Sequence, residues 1–272
     1  MASSAELSAP PETVPAVSTE QALFELDLYG FTVLPEVLNR AEATELAALL
    51  DRADETMGVE YVYEEAYARL VPCAPALDDR FLKLIDHPGV LPVIEAVLGR
   101  EIVLGSMNAR IVRPGDPEQG LHSDIPAVHR RQTGHPIMLQ AVWMIDGFTS
   151  DNGATRLVPG SHRAAASAPP KGLAVPHVVA PTGPAGSVLI FNGQCWHGGG
   201  ANRSAGRRRA VFGHYRVGAW MRFQTDPSLY LSEERWRALT ARQREIVRMV
   251  HGVGQKNAAD YYADQPHAGR FE

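Results

Sequence analysis

A histidine and a carboxylate stand one residue apart in His122-Ser123-Asp124, just after Gly120-Leu121. In an extended segment residues i and i+2 point the same way, so this imidazole and this carboxylate can face one ion. A third ligand is needed. The best candidate is His197, in Phe191-Asn192-Gly193-Gln194-Cys195-Trp196-His197-Gly198. It follows the apolar run Ser187–Phe191, and the glycines after it allow backbone to turn close to a ligand. Two imidazoles and one carboxylate leave three positions open on a metal, the ligand set of non-haem Fe(II) oxygenases. The two cysteines, Cys73 and Cys195, lack the paired spacing of a zinc site.

Eleven residues after His197 comes Arg208, which opens the run Arg209-Ala210-Val211-Phe212-Gly213-His214-Tyr215. A guanidinium near iron can grip a dicarboxylate through a bidentate pair. That is what 2-oxoglutarate requires, with one end on the metal and the far carboxylate on the arginine. By strand alternation Arg207 and Arg209 face the other way. A register slip of one residue would put Arg209 in this role instead. His214 shares the Arg208 face, either beside the ligands or simply buried. His162, in Pro-Gly-Ser-His, reads as a hydrogen-bonder that stabilises a turn. His129, His135, His177 and His267 show no partner pattern and read as surface or loop residues, and Trp196 reads as packing. Tyr61, Tyr63 and Tyr67 could line a lid or serve as ordinary core or surface aromatics.

These residues need a rigid frame. The chain has 272 residues, is 45% hydrophobic and 21% charged, and carries a net charge of -5. That composition supplies a core, excludes a disordered chain and gives no basic signature of a nucleic-acid binder. No stretch of about 20 residues is apolar enough to span a membrane. Two cysteines make no disulfide framework, so a reducing cytoplasm is the default location. Residues 1–17 are small, polar and Pro-rich and read as a flexible tail. The remainder, 18–272, reads as one domain.

Ser18 or Thr19 can cap a helix through Leu28, Asn39 a longer one, and a third fits Val90 to Leu98, closed by Gly99. Residues 56–80 show no clean period. From Glu101 short β segments follow: Ile102–Val112, Ile137–Ile145, Thr155–Pro159, Ala174–Val179, Ser187–Phe191 and Arg209–Val217. Asp151-Asn152-Gly153 marks a turn. Ser232 caps a C-terminal helix through about Val250. A helical N-terminal third followed by six or more short strands predicts an α+β fold with a two-sheet β core.

The chain resembles the phytanoyl-CoA dioxygenase family of Fe(II)/2-oxoglutarate oxygenases. The matching pieces are Gln119-Gly120-Leu121-His122-Ser123-Asp124, Trp143, Asn152-Gly153-Ala154-Thr155 leading to Pro159-Gly160-Ser161-His162, and His197 with Arg208 eleven residues later. They span about residues 20–220. The resemblance implies a double-stranded β-helix (jelly-roll, cupin-like) core with flanking helices. It implies iron on His122, Asp124 and His197, 2-oxoglutarate on Arg208, and O2 as the other cosubstrate. Gln119, Trp143 and Thr155 match positions that often line the cosubstrate pocket. Between His122 and Trp143 the chain departs from the family in a His/Arg-bearing insert, Ala127–Gly134, which reads as an exposed loop, with a substrate contact as the alternative. Asp124 is retained, which argues against a halogenase.

The activity so implied is oxidation, above all hydroxylation, of a C–H bond in a small organic molecule such as a bacterial specialised metabolite, with release of succinate and CO2. Desaturation, epimerisation, ring closure and endoperoxide formation use the same ligands. A jelly-roll sensor that keeps the triad without turnover, an acyl-CoA hydroxylase, and a cupin-like isomerase or zinc hydrolase are the competing readings. Nothing in the residues fixes an oligomeric state.

Overall fold

The computed structural model of the protein describes residues 17–56, 63–125, 135–218, 227 and 230–249. The expected tail (all but Val17), the insert 127–134, Tyr61 and His267 lie outside the described residues.

The N-terminal helices form where the capping residues place them. The Ser18 hydroxyl accepts from the Gln21 amide at 3.1 Å and starts α1 (Thr19–Leu28). Asn39 and Glu42 cap each other reciprocally, through Glu42 N to Asn39 Oδ1 at 3.0 Å and Asn39 N to Glu42 Oε2 at 2.8 Å. That pair opens α2 (Arg40–Thr56), whose Ala43, Leu46, Ala47, Leu50 and Ala53 are buried at helical spacing. Two short helices follow, α3 (Asp79–Leu82) and α4 (Leu91–Leu98), the latter ending at Gly99 with φ 80°.

The β frame comprises β1 (Phe31–Leu34), β2 (Tyr63–Glu65), β3 (Ala68–Val71), β4 (Ile102–Val112), β5 (Met138–Met144), β6 (Thr155–Leu157), β7 (Val188–Asn192), β8 (His197–Gly199) and β9 (Arg208–Val217). Seven strands make the larger sheet, in the order β1-β7-β5-β9-β4-β3-β2, with every neighbouring pair antiparallel. β6 and β8 make the smaller one. His122 adds to it by an antiparallel bridge to His197. This is the double-stranded β-helix of the sequence expectation.

Side-chain alternation gives the larger sheet two different cores. Leu139, Ala141 and Trp143 of β5, with Ile190, Val211 and Tyr215 of its neighbours, pack against the helices. Val142, Met144, Leu189, Phe191, Ala210 and Phe212 face inward and meet Phe148, Ala154 and Leu157 from the smaller-sheet side. β4 keeps this division through a bulge. Its register against β9 shifts between Leu104 and Ser106, so Ile102 and Leu104 face the helices before the shift, and Met107, Ala109 and Ile111 after it. Gly105 sits at the shift, where a Cβ would come within 2.7 Å of Nε of Arg216.

Two expectations need correction, and three short strands stand outside the expected elements. Residues 63–71 form the hairpin β2–β3, and Phe31–Leu34 forms an edge strand; both were illegible because they are only three or four residues long. Ala174–Val179 is no strand and makes only an isolated bridge, Val179 to Leu157. The C-terminal helix is two helices, α5 (Glu233–Ala238) and α6 (Ala241–Ile246). Thr240 and Gln243 build a capping box there, which starts a new helix instead of continuing the old one. Val250, its expected end, lies outside the described residues.

Leu50 is fully buried on α2 in the helix-side core. Leu50→Ala should cost about 2–5 kcal/mol in urea unfolding, with a smaller effect for half-buried Leu49→Ala. Equal, sub-kcal losses in both would mean that α2 does not dock as described.

Candidate functional site

Backbone pairing brings the three proposed ligands together before any side chain acts. The His122 amide donates to the His197 carbonyl at 2.9 Å, and the His197 amide returns the bond to His122 at 2.8 Å. The Asp124 amide donates to the Gly193 carbonyl at 3.0 Å, and that of Ser123 to the Ser167 carbonyl at 2.7 Å. The Ser123 hydroxyl lies within 3.1 Å of both the Gly193 and Ile125 carbonyls, a bolt on the face opposite the ligands. Gly198 is required by this pairing, because a Cβ there would stand 2.8 Å from the Gln119 carbonyl oxygen.

The result is a cluster whose ligand atoms all lie within 4.8 Å of one another. His122 Nε2 is 3.8 Å from Asp124 Oδ1, and His197 Nε2 is 3.5 Å from Asp124 Oδ2. Both imidazoles turn Nδ1 to a backbone carbonyl, His122 to Gly120 at 3.0 Å and His197 to Cys195 at 2.9 Å. A carbonyl only accepts, so each Nδ1 carries the proton and each Nε2 lone pair is left for a metal. Burial pushes the His197 imidazole below its ordinary value, against the pull of Asp124, which keeps it neutral. Burial alone would raise the Asp124 carboxyl. The imidazoles of His197, His214 and His122 and the Gln140 amide outweigh it and hold the group below its ordinary value. Two imidazoles that present Nε2 and a carboxylate between them are the donors that a divalent cation needs.

The cluster opens into a cavity of about 220 Å3, whose wall includes Arg110, Gln119, Gln140, Thr155, Arg208 and His214 as well as the three ligands. Arg208 is buried at its far reach. It donates through Nη2 to the Gly153 carbonyl and lies 4.8 Å over the Phe148 ring. Nε and Nη1 of its guanidinium have no hydrogen-bond partner. Burial, with repulsion from Arg110, pushes its pKa down to about 9, so the group is still a cation at neutral pH. A buried guanidinium with two unmet donors calls for an anion. The donor set and this cradle fit iron with 2-oxoglutarate.

The neighbouring arginines are spoken for. Arg209 makes a bidentate pair with Asp146, Nε to Oδ2 at 2.8 Å and Nη2 to Oδ1 at 2.7 Å, and a further bond to Asp51 at 2.6 Å. Arg207 pairs with Asp51 at 3.0 Å. Both point away from the cavity, as alternation requires.

Gln119 and Thr155 line the cavity, Gln119 with its Oε1 accepting from the Gly199 amide at 3.2 Å. Trp143 does not. It lies in the helix-side core, edge-on to His87 at 5.4 Å, and is absent from the cavity wall. The expectation for Trp143 fails on strand parity, since it stands three residues from the inward-facing Gln140. Sequence reasoning missed Gln140 and Arg110. Gln140 is the one polar non-aromatic residue in Met138–Met144, and that was the available signal. Tyr67, from the β2–β3 turn, lines the cavity, and His214 is buried in its wall. His162 is a hydrogen-bonder, but across the fold and not within its own turn: its Nε2 lies 3.2 Å from the Asp27 carbonyl in α1.

Comparison with known proteins agrees with this geometry. The family model described as phytanoyl-CoA dioxygenase (PhyH) matches residues 26–210. Dioxygenase af480 of Aspergillus fumigatus is 26% identical over 257 residues, 92% of this chain and 83% of its own. The uncharacterized protein Rv1501 of Mycobacterium tuberculosis is 27% identical over 221 residues, 77% of this chain and 79% of its own. Among solved structures, the epimerase SnoN in complex with Fe3+, alpha ketoglutarate and nogalamycin RO superposes with a TM-score of 0.60 at 19% identity, covering 73% of this chain and 83% of its own. HygX from Streptomyces hygroscopicus, with nickel and 2-oxoglutarate bound, gives 0.58 at 19%, covering 72% and 86%. At such identity these two likenesses speak for the fold. With more than half of its length matched by the family model and its fold shared, the chain belongs to the phytanoyl-CoA dioxygenase family of Fe(II)/2-oxoglutarate-dependent oxygenases.

Proposed function

We propose that His122, Asp124 and His197 hold ferrous iron, that Arg208 holds the far carboxylate of 2-oxoglutarate, and that the enzyme hydroxylates a C–H bond of a small specialised metabolite. The observation that carries this reading is Arg208, a buried cation with two unmet donors in the same cavity as the triad. A sensor without turnover, a zinc hydrolase or a cupin-like isomerase has no need of such a group. SnoN is described as an enzyme of nogalamycin biosynthesis, which supports a specialised metabolite as substrate here. Cys73 and Cys195 are buried and not joined to each other, in keeping with a reducing cytoplasm. Among the described residues no helix is long and apolar enough to cross a membrane. The unit 18–272 works as one domain in this reading.

Bound iron supplies, with 2-oxoglutarate and O2, the oxidant for the C–H bond, and succinate and CO2 are released. The chain's own part is binding and orientation. The Gly120 and Cys195 carbonyls hold the two imidazoles in the tautomer that presents Nε2. Arg208 and Thr155 line the cosubstrate wall, and Gln119 ties that wall to β8. Aligned with Phe148, the guanidinium offers its planar fork to a carboxylate without first breaking an ion pair.

Anaerobic Fe(II) with 2-oxoglutarate should give a weak visible charge-transfer band, lost in His197→Ala. A band of full strength in that variant would remove His197 from the ligand set, and zinc in freshly purified protein would favour a hydrolase. Asp124→Ala should lower substrate-dependent succinate formation by at least ~100-fold, since ligand loss disturbs affinity and geometry together.

Each charge-assisted bond to Arg208 is worth roughly 1.5–3 kcal/mol. Arg208→Ala should therefore raise the 2-oxoglutarate half-saturation by at least ~10-fold, the equivalent of ~1.4 kcal/mol. Arg208→Lys should fall between wild type and Arg208→Ala. Arg209→Ala and Trp143→Phe should leave half-saturation unchanged. A rise in Arg209→Ala alone would place the cosubstrate on the wrong arginine in our reading.

A further inference from the structure

Two arginines stand in the cavity, and only one of them has an acid. Among the described residues the charged side chains on the cavity wall are Arg110, Arg208 and Asp124. Arg110 of β4 lies opposite Ala210, two residues after Arg208 on β9. The two guanidiniums therefore leave the sheet from diagonal positions, with Cβ atoms about 7 Å apart. Their repulsion comes second to burial in lowering Arg208.

Glu65, the last residue of β2, takes the side edge of the Arg110 guanidinium, Nε to Oε2 at 3.0 Å and Nη2 to Oε1 at 3.4 Å. The hairpin brings the two together, because Glu65 pairs with Ala68 and Leu70 pairs with Arg110. Arg110 also lies 5.2 Å over the Phe212 ring. The side chains are 25% and 23% exposed, so water screens the pair only in part. Fastening a hairpin to a sheet does not call for charge. Apolar residues of similar size would do it without the desolvation of two ions.

The charges of the loaded cavity suggest what the pair is for. Ferrous iron on Asp124 and two imidazoles would carry one net positive charge, and Arg208 adds a second. 2-Oxoglutarate brings two negative charges, so it is matched without Arg110. We propose that Glu65 sets the charge of the cosubstrate cavity by neutralising Arg110, so that the site holds one dianion and still releases succinate, the dianion left after turnover. The inference rests on the triad and Arg208 holding iron and 2-oxoglutarate. Glu65 is a positioning residue, acting through Arg110 and needing no contact with the cosubstrate. Without Glu65 the cavity gains a positive charge, and both dianions bind more tightly. Without Arg110 it gains a negative one, and both bind more weakly.

The test is titration calorimetry of anaerobic Fe(II)-loaded protein with 2-oxoglutarate and, separately, with succinate. Wild type, Glu65→Gln, Arg110→Gln, the double variant and Arg208→Ala are compared. Glu65→Gln should lower both dissociation constants by about 5–10-fold, the scale of one partly screened unit charge within a cavity. Arg110→Gln should raise both by a similar factor, and the double variant should return to within about 2-fold of wild type, since the two charges cancel. A loosened hairpin would weaken binding in all three variants, so opposite signs with mutual rescue separate a charge effect from a structural one. Unchanged or weaker binding in Glu65→Gln would overturn the proposal. So would a double variant as weak as Arg110→Gln, which would show that the guanidinium itself grips the anion. If Arg208→Ala binds 2-oxoglutarate as tightly as wild type, or wild type gives no charge-transfer band with it, the reading beneath the proposal falls instead.

Discussion

His122 and His197 exchange two backbone hydrogen bonds, at 2.9 and 2.8 Å, across segments 75 residues apart in sequence. Everything at the site hangs from that exchange. It joins the His122 segment to β8 in the smaller sheet, sets the two imidazoles 4.5 Å apart, and leaves Asp124 to be anchored by the Gly193 carbonyl. Loops usually carry functional groups because a rigid scaffold holds them. Here the ligands on either side of a long excursion are positioned by ladder bonds of the scaffold itself.

Charge in the sandwich is distributed by the same logic of alternation. Arg208 and Arg209 are neighbours, yet one is fully paired on the helix side and the other is held inside with donors to spare. Asp146 and Asp51 neutralise Arg209 and thereby cannot reach Arg208. An acid facing inward at the base of β9 would satisfy Arg208 internally and compete with any incoming carboxylate. Specificity for an anionic cosubstrate thus depends on an acid being on the wrong face as much as on the arginine being on the right one.

Much of this was legible in the residues. His122, Asp124, His197 and Arg208 were recognisable because i, i+2 spacing and strand alternation are strict rules, and the long strands β4, β5, β7 and β9 carry enough apolar residues to announce themselves. β1, β2 and β3 were not, being three or four residues long, with β1 and β3 paired to strands far away in sequence. The C-terminal break at Thr240 was local chemistry, a Thr-to-Gln capping box, hidden inside an acceptable helical pattern. Trp143 went wrong for a different reason. A family position transfers a residue type, whereas the face a side chain occupies is settled by its parity against Gln140, which only pairing with β9 makes plain.

The bulge at Gly105 gives β4 a property that bears on how such a chain can change length. Upstream of it even-numbered residues meet the helices, and downstream odd-numbered ones do, which leaves Arg110 and Val112 turned to the cavity. Away from the bulge, a one-residue insertion or deletion between Ile102 and Arg110 would leave composition and strand propensity nearly untouched yet invert one half of the strand, whereas loss of the extra residue at Gly105 would remove the bulge and keep both faces. A two-residue change would preserve both faces. Single-residue drift in length along this strand is therefore confined to the bulge, while the turns outside the sheets can gain or lose residues one at a time.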